Sequence, residues 1–347
     1  MAELSKSTNA AWLAMNVEEA LEPDLPICDP HQHFWDFRTD TVHPHYMLDE
    51  FVADISGGHN IISTVFLDCH AMYRTDGPEE LRVVGETEFV NGIAAMSASG
   101  QYGPTRAAAG IVSYADLSIG DRAGAVLEAH ISAGGGRFKG IRQAGAWDAD
   151  DRVRSYHTIP PAGMLGSDKF RQGFAHMGRL GLSYDCWVYH PQLAEVVDLA
   201  RAFPDTTIIL DHMGGPIGVG PYAGKRAEVM EQWRQGIAEV AKSCPNIVVK
   251  LGGINMKFNG FDWHERDTPP TSAELAEANR PYFEHCLEHF GVDRCVFESN
   301  FPIEKISCDY TTIWNLTKRI AKGFSADEKA KLFHDNAARV YRLGSTP

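Results

Sequence analysis

Residues 26–35 read PICDPHQHFW, a short apolar run that breaks at Asp29 into Pro30, His31, Gln32 and His33. Seven further apolar runs rich in Val, Ile, Leu or Phe follow it, at 61–68, 107–112, 138–142, 182–188, 207–211, 247–251 and 295–298. Between them lie stretches of helical periodicity, among them 123–132, 170–179, 193–203, 226–242 and 281–290. Near-continuous apolar strands alternating with helices predict a parallel sheet whose outside is covered by helices. Eight such strands spread over about 300 residues fit a (β/α)8 barrel, the TIM-barrel fold. A doubly wound sheet is the alternative, but no GxGxxG turn follows the first run to support it. The expectation is therefore an α/β protein with one barrel domain over residues 24–347, preceded by an N-terminal arm over residues 1–23.

The 347 residues carry 32 Lys+Arg against 46 Asp+Glu, a formal charge of −14. A single domain of this size buries roughly 75% of the surface its unfolded chain exposes. The negative balance argues against nucleic acid or an anionic membrane as partner, since both require a basic face. A small-molecule substrate is expected instead, and a few local arginines would suffice to hold an acidic one. No apolar stretch reaches the ~18 residues of a transmembrane helix. The first 24 residues, MAELSKSTNAAWLAMNVEEALEPD, lack the basic start and apolar core of a secretory signal. Seven cysteines (28, 69, 186, 244, 286, 295 and 308) are odd in number, scattered and without a CxxC. That disfavours a disulfide framework or a thiolate zinc site and predicts a reduced, cytoplasmic protein. Barrels of this size often pair, so a homo-oligomer is left open.

Active sites of this fold sit at the C-terminal ends of the strands, so titratable residues should follow each run. They do. His31 and His33 follow the first run, Asp68 and His70 the second, Tyr114 and Asp116 the third. Lys139 and Arg142 lie along the fourth, Tyr189 and His190 follow the fifth, and Asp211 and His212 the sixth. Lys250 lies on the seventh, and Glu298 and Asn300 close the eighth. His31 and His33, two residues apart on a strand, point to one side. Neutral imidazoles so placed can share a divalent ion, or else form a buried hydrogen-bonded pair. With His190 and His212 at two further strand ends, three or four imidazoles can converge. Lys139 and Arg142 have opposite strand parity, so one of them faces the interior unless a bulge intervenes. Trp35, Trp187 and Tyr189 fall at the mouth, where aromatic walls shape a pocket. Long connections after the second, fourth and seventh runs read as lids. The fourth-run loop carries Trp147, Arg152, Arg154, Tyr156 and His157.

CDPHQHFW (28–35), VGETEFV (84–90), KGIR (139–142), LDHMGGP (210–216), VKLG (249–252) and FESNFP (297–302) span the chain. Through them it resembles the amidohydrolase superfamily, in the amidohydrolase-2 branch of fuconolactonase-like and pyrone-dicarboxylate lactonase-like barrels. The resemblance implies that His31, His33 and His190 hold a metal and that His212 contacts metal or substrate. It implies that Lys139 and Arg142 bind substrate oxygens. It sets Asn300 where the superfamily places the aspartate that binds metal and moves the proton. An amide cannot act as a carboxylate base and is a weaker ligand for a hard cation. Glu298, two residues back on the same face, is the candidate replacement; a salt bridge from Glu298 to Lys250 is its structural alternative.

The expected activity is hydrolysis of a lactone or similar cyclic ester of a small acidic substrate by water attack at the carbonyl. His190, His212, Glu298 and Asn300 are the catalytic candidates. Trp35, Lys139, Arg142, Trp187 and Tyr189 are the substrate-binding ones. The cofactor is one divalent metal, zinc before manganese, or none. A non-oxidative decarboxylase or lactone isomerase on the same frame is the alternative, and a catalytically silent binding protein a further one.

Overall fold

The computed structural model describes residues 9–154 and 159–344. Its strands are β1 (Pro26–Gln32), β2 (Asn60–Leu67), β3 (Arg106–Ser113), β4 (Phe138–Ile141), β5 (Ser183–Cys186), β6 (Ile208–Leu210), β7 (Ile247–Leu251) and β8 (Cys295–Phe297). They pair in sequence order, every pair parallel. The helices are α1 (Ala10–Leu13), α2 (Leu48–Ile55), α3 (Val84–Ala98), α4 (Ala123–Ala133), α5 (Asp168–Arg179), α6 (Leu193–Ala202), α7 (Arg226–Ser243), α8 (Ser272–Phe290), α9 (Tyr310–Ile320), α10 (Ala326–Ala330) and α11 (Asn336–Val340). One of α2–α8 connects each strand to the next, as the alternation of runs predicts. The barrel is nearly closed. Between β8 and β1 the ladder is reduced to a bridge from Gln32 to Phe301, where His33 N donates to Phe301 O at 2.9 Å.

Side chains reinforce that seam. Asp29 of β1 accepts from Ser299 N at 3.1 Å, Ser299 Oγ at 2.5 Å and Tyr310 OH at 2.9 Å. Ser299, two residues past β8, and Tyr310 at the start of α9 are thereby riveted to the first strand. Burial pushes the Asp29 carboxyl up to about 6, with these donors opposing the rise.

The described residues of the expected arm, from Asn9 onward, include a short helix and are strapped to the barrel. Asn9 Nδ2, Trp12 Nε1 and Asn16 Nδ2 donate to the carbonyls of Lys305, Arg266 and Pro270. Further along, Lys318 Nζ donates to the carbonyls of Leu21 and Glu22.

Helix α8 differs from the reading at 281–290, because it begins nine residues earlier. Thr271 caps it: its hydroxyl accepts from Glu274 N, while Glu274 Oε2 accepts from Thr271 N at 2.8 Å. This reciprocal box, written in the sequence as TSAE, fixes the start firmly enough that Pro281 is carried inside the helix. The loop after β7 is correspondingly shorter than expected. No helix among the described residues is long and apolar enough to cross a membrane.

Two apolar layers flank the strands. The larger packs the helices on the outside of the barrel. The smaller lies within it, joining Cys28, Val65, Leu67, Val112, Ile209, Val248 and Val296 to Ala337, Val340 and Tyr341. The segment at and after α11 therefore plugs the barrel from below. The fully buried Tyr341 ring ends in a hydroxyl that donates to Asp185 Oδ1 at 2.5 Å. Tyr341→Ala removes both the plug and that bond. It is expected to destabilise the fold by about 3–5 kcal/mol, the range for truncating a large buried aromatic side chain. Urea unfolding of the variant beside wild type measures this, and a loss near zero would show that the plug carries no stability.

Candidate active site

The strands deliver a buried charge cluster to their C-terminal ends. His31, in β1, and His212, two residues past β6, have ring centroids 4.5 Å apart. Glu298, the residue after β8, lies between them. Its Oε2 is 2.7 Å from His31 Nδ1, and its Oε1 is 2.7 Å from His212 Nδ1. Lys250 of β7 pairs with Asp185 of β5 at 2.7 Å and with Asp211 at 3.0 Å. Arg142, just past β4, pairs with Asp68, just past β2, and its Nη1 is 3.0 Å from His31 Nε2. Lys250 Nζ is also 3.1 Å from His31 Nδ1. All of these side chains are buried.

Backbone conformation makes room for this crowding. His212 and Asn300 both adopt left-handed φ, +52° in each case, a conformation that costs non-glycine residues energy and gathers at functional sites. Glycines at 252 and 253 let their neighbours in. A Cβ on Gly253 would lie 1.9 Å from His212 Nδ1, and one on Gly252 would lie 2.5 Å from Glu298 Cγ.

Burial, aided by the charges of Lys250, His212 and Arg142, holds His31 well below the usual imidazole range. Burial and Arg142 do the same for His33. Both rings are neutral at neutral pH. Burial works against the Lys250 ammonium, but the carboxylates of Asp185, Asp211 and Glu298 hold its pKa above the usual range. Burial likewise opposes the charge on Asp211, which Lys250, His212 and Arg142 keep ionised.

Four carboxylates (Asp68, Asp185, Asp211 and Glu298) thus meet two side-chain cations (Arg142 and Lys250) in this cluster, beside the neutral His31 ring. One atom from each of His31, His212 and Glu298 lies within 4.8 Å of the others, a set able to hold a metal ion. Charge and donor chemistry both fit a divalent cation at this point.

Above the cluster opens a cavity of about 830 Å³. His33, Arg142, His212 and Asn300 form its buried end, and Trp35, Trp187, Met256, Phe258, Ile303 and Ile306 contribute apolar walls. Arg38, Arg152, Arg154 and Lys257 also line it, the last three exposed; the guanidinium of Arg38 pairs with Asp40, that of Arg152 with Asp150 and that of Arg154 with Asp151.

Most of the residues singled out from the sequence meet here. His33 Nδ1 donates to Leu67 O at 2.8 Å, and its Nε2 is 3.4 Å from Asn300 Oδ1. The His31 and His33 rings are 5.0 Å apart, on the same side as their spacing implies. Trp187 lies edge-on to His212 at 4.8 Å. Tyr189 stands one layer back, its ring 5.7 Å from Trp187 and its hydroxyl bonded to Val153 O at 3.1 Å. Glu298 is engaged by the two imidazoles, while the ion pairs of Lys250 go to aspartates.

Two expected residues are elsewhere. His190 stays out of the cluster; its ring packs on Tyr222 at 5.3 Å and its Nδ1 accepts from Ile217 N at 3.4 Å. The reason is the length of β5, which ends at Cys186, so the chain has turned away from the barrel axis before residue 190. His212 takes the place given to His190 in the metal set, and His33 lies outside the three mutually close donors. Lys139 serves the opposite mouth, where Nζ donates to the carbonyls of Gly136 at 2.9 Å and Arg342 at 3.2 Å. It sits at the N-terminal end of β4, beside a register shift against β3, and Arg142 alone of the pair reaches the site. Tyr156 and His157 lie outside the described residues.

Sequence reading missed Asp185, although an acidic residue in the middle of the apolar run at 182–188 was its signal. It also missed Arg38, whose guanidinium lies 4.6 Å over the Trp35 ring, and the trio Met256, Lys257 and Phe258.

Residues 28–343 match the family model described as Amidohydrolase. An uncharacterized protein of Sinorhizobium fredii, y4mH, is 34% identical over 338 residues, covering 92% of this chain and 99% of the relative. The L-fucono-1,5-lactonase of Burkholderia ambifaria is 25% identical over 322 residues, covering 91% of this chain and 95% of that enzyme. Among solved structures, an amidohydrolase of Burkholderia multivorans with bound zinc aligns with a TM-score of 0.69 at 22% identity, over 92% of this chain and 99% of that one. The last likeness shows the fold.

Behind Asn300, Glu304 ties the loop after β8 to the loop after β7, its Oε1 accepting from Asn255 N at 3.1 Å. Burial pushes its carboxyl up to about 8. An unfolded glutamate titrates near ~4.3, so its stabilising contribution is complete below that pH and is lost as pH rises through about 8. Glu304→Gln, which stays neutral, is expected to gain stability relative to wild type between about pH 5 and about pH 9. Urea unfolding at both pH values checks the sign; a constant difference would refute it.

Proposed function

The chain belongs to the amidohydrolase family, and we propose that it hydrolyses a lactone or similar cyclic ester bearing an acidic group. The observation that carries this is Glu298, bracketed by His31 and His212 beneath a cavity whose rim carries Lys257 and three arginines, each arginine paired with an aspartate. Lactonase relatives at modest identity support the same reading.

A divalent metal would be held by His31, His212 and Glu298, and zinc is proposed over manganese because imidazole suits it better. When bound, such an ion polarises the ester carbonyl and acidifies water. The chain's own groups do the rest. Glu298 is placed to draw the proton of the attacking water through His212, whose ring lines the cavity and whose Nδ1 it holds, and to return it by the same route to the ring oxygen as the C–O bond breaks, leaving a hydroxy acid. Arg142 and the Asn300 amide, both at the buried end of the cavity, offer N–H donors to the developing oxyanion. Arg152, Arg154 and Lys257 hold the substrate's carboxylate at the mouth, and Arg38 adds its charge beside Trp35.

The apolar walls made by Trp35, Trp187 and Phe258 favour a second reading, decarboxylation of an aromatic acid on the same frame. A panel of sugar lactones, carboxylated lactones and aromatic acids, assayed for acid release and for carbon dioxide, separates the two.

With any substrate so found, Glu298→Gln is expected to lower kcat by about 10²–10⁴ with little change in KM, the range for losing a general base. Unchanged kcat would remove Glu298 from the mechanism. Chelation is expected to abolish turnover and zinc to restore it. No turnover on the panel, with or without zinc or manganese, would point instead to a silent binding protein.

A further inference from the structure

The C-terminal end of α8 carries His285, Glu288 and His289, none of which lines the cavity. Residues three and four apart share a helix face, and one atom from each of these three side chains lies within 4.8 Å of the others. The two imidazole rings are 4.4 Å apart.

The local structure adds two independent features. His285 Nε2 lies 3.0 Å from Arg234 O on α7, and a carbonyl can only accept, so Nε2 carries the ring proton and Nδ1 keeps its lone pair. The ring is steadied by Trp233, 5.3 Å away. A histidine whose second nitrogen donates to a backbone carbonyl is in the state that metal-ligating histidines adopt. The site also lies at the carbonyl end of a 19-residue helix, where the macrodipole favours a cation.

We propose that His285, Glu288 and His289 form a second, surface site for a divalent transition metal of the zinc class, separate from the buried cluster. Two imidazoles and one carboxylate supply three ligands to a tetrahedral ion and leave one position for water. Because His285 is bonded to α7, a bound ion would pin the end of α8 to its neighbour.

The test is zinc uptake by the intact protein, stripped by chelation and then dialysed against zinc, beside His289→Ala and Glu288→Gln. Both substituted side chains are exposed and outside the catalytic cluster, so unchanged thermal unfolding without zinc confirms the fold. His289→Ala is expected to bind one equivalent less than wild type. Glu288→Gln is expected to bind that equivalent about tenfold more weakly, a difference of about 1.4 kcal/mol. The comparison is a difference, so it reads the same whether or not the buried cluster takes zinc. Equal uptake by wild type and His289→Ala would overturn the site. An unchanged dissociation constant in Glu288→Gln would overturn the carboxylate's place in it.

Discussion

A lysine ammonium, fully buried in the middle of the barrel, is the constraint around which the site is built. A lone ion in that position costs several kcal/mol. Lys250 is made tolerable by Asp185 and Asp211, which the two preceding strands bring within 3.0 Å, and Tyr341 donates to Asp185 from below. Arg142 and Asp68 form a second such pair on the other side of His31. With both cations committed to aspartates, Glu298 is left to the imidazoles. The division of carboxylates between structural pairing and chemistry follows from where the two cations stand.

Asn300 stands where the resemblance to the amidohydrolase superfamily implies an aspartate, and its geometry suits an amide. The position has left-handed φ, which asparagine accepts more readily than most residues. Its amide faces the cavity beside His33, while the carboxylate one strand period earlier sits beneath both imidazoles. The negative charge at this strand end therefore lies one layer below the cavity, on Glu298.

Much of this was legible in the sequence. The barrel follows from the alternation of apolar runs and helical periodicity, and the polar residues after the runs located His31, His33, Arg142, His212, Glu298 and Asn300. What could not be read was where each strand stops. His190 was misplaced because β5 ends four residues before it, and Lys139 because it is the second residue of a four-residue strand whose far end alone faces the site. Periodicity assigns a side chain to a face; it does not say how far along the barrel axis that face lies. The start of α8 failed differently: Pro281 reads as a helix boundary, and the capping box at Thr271 outweighs it.

The near-open seam between β8 and β1 runs directly beside the site. Elsewhere neighbouring strands share a ladder of main-chain bonds; here one bridge and the side chain of Asp29 hold the edges together. Thermal breathing of a barrel starts where its hoops are thinnest, and the residues bordering this gap are His33 on one edge and Ser299, Asn300 and Phe301 on the other. Fluctuations that would be harmless at any other strand pair therefore modulate the width of the floor beneath the substrate, and amide exchange at His33 would register them first.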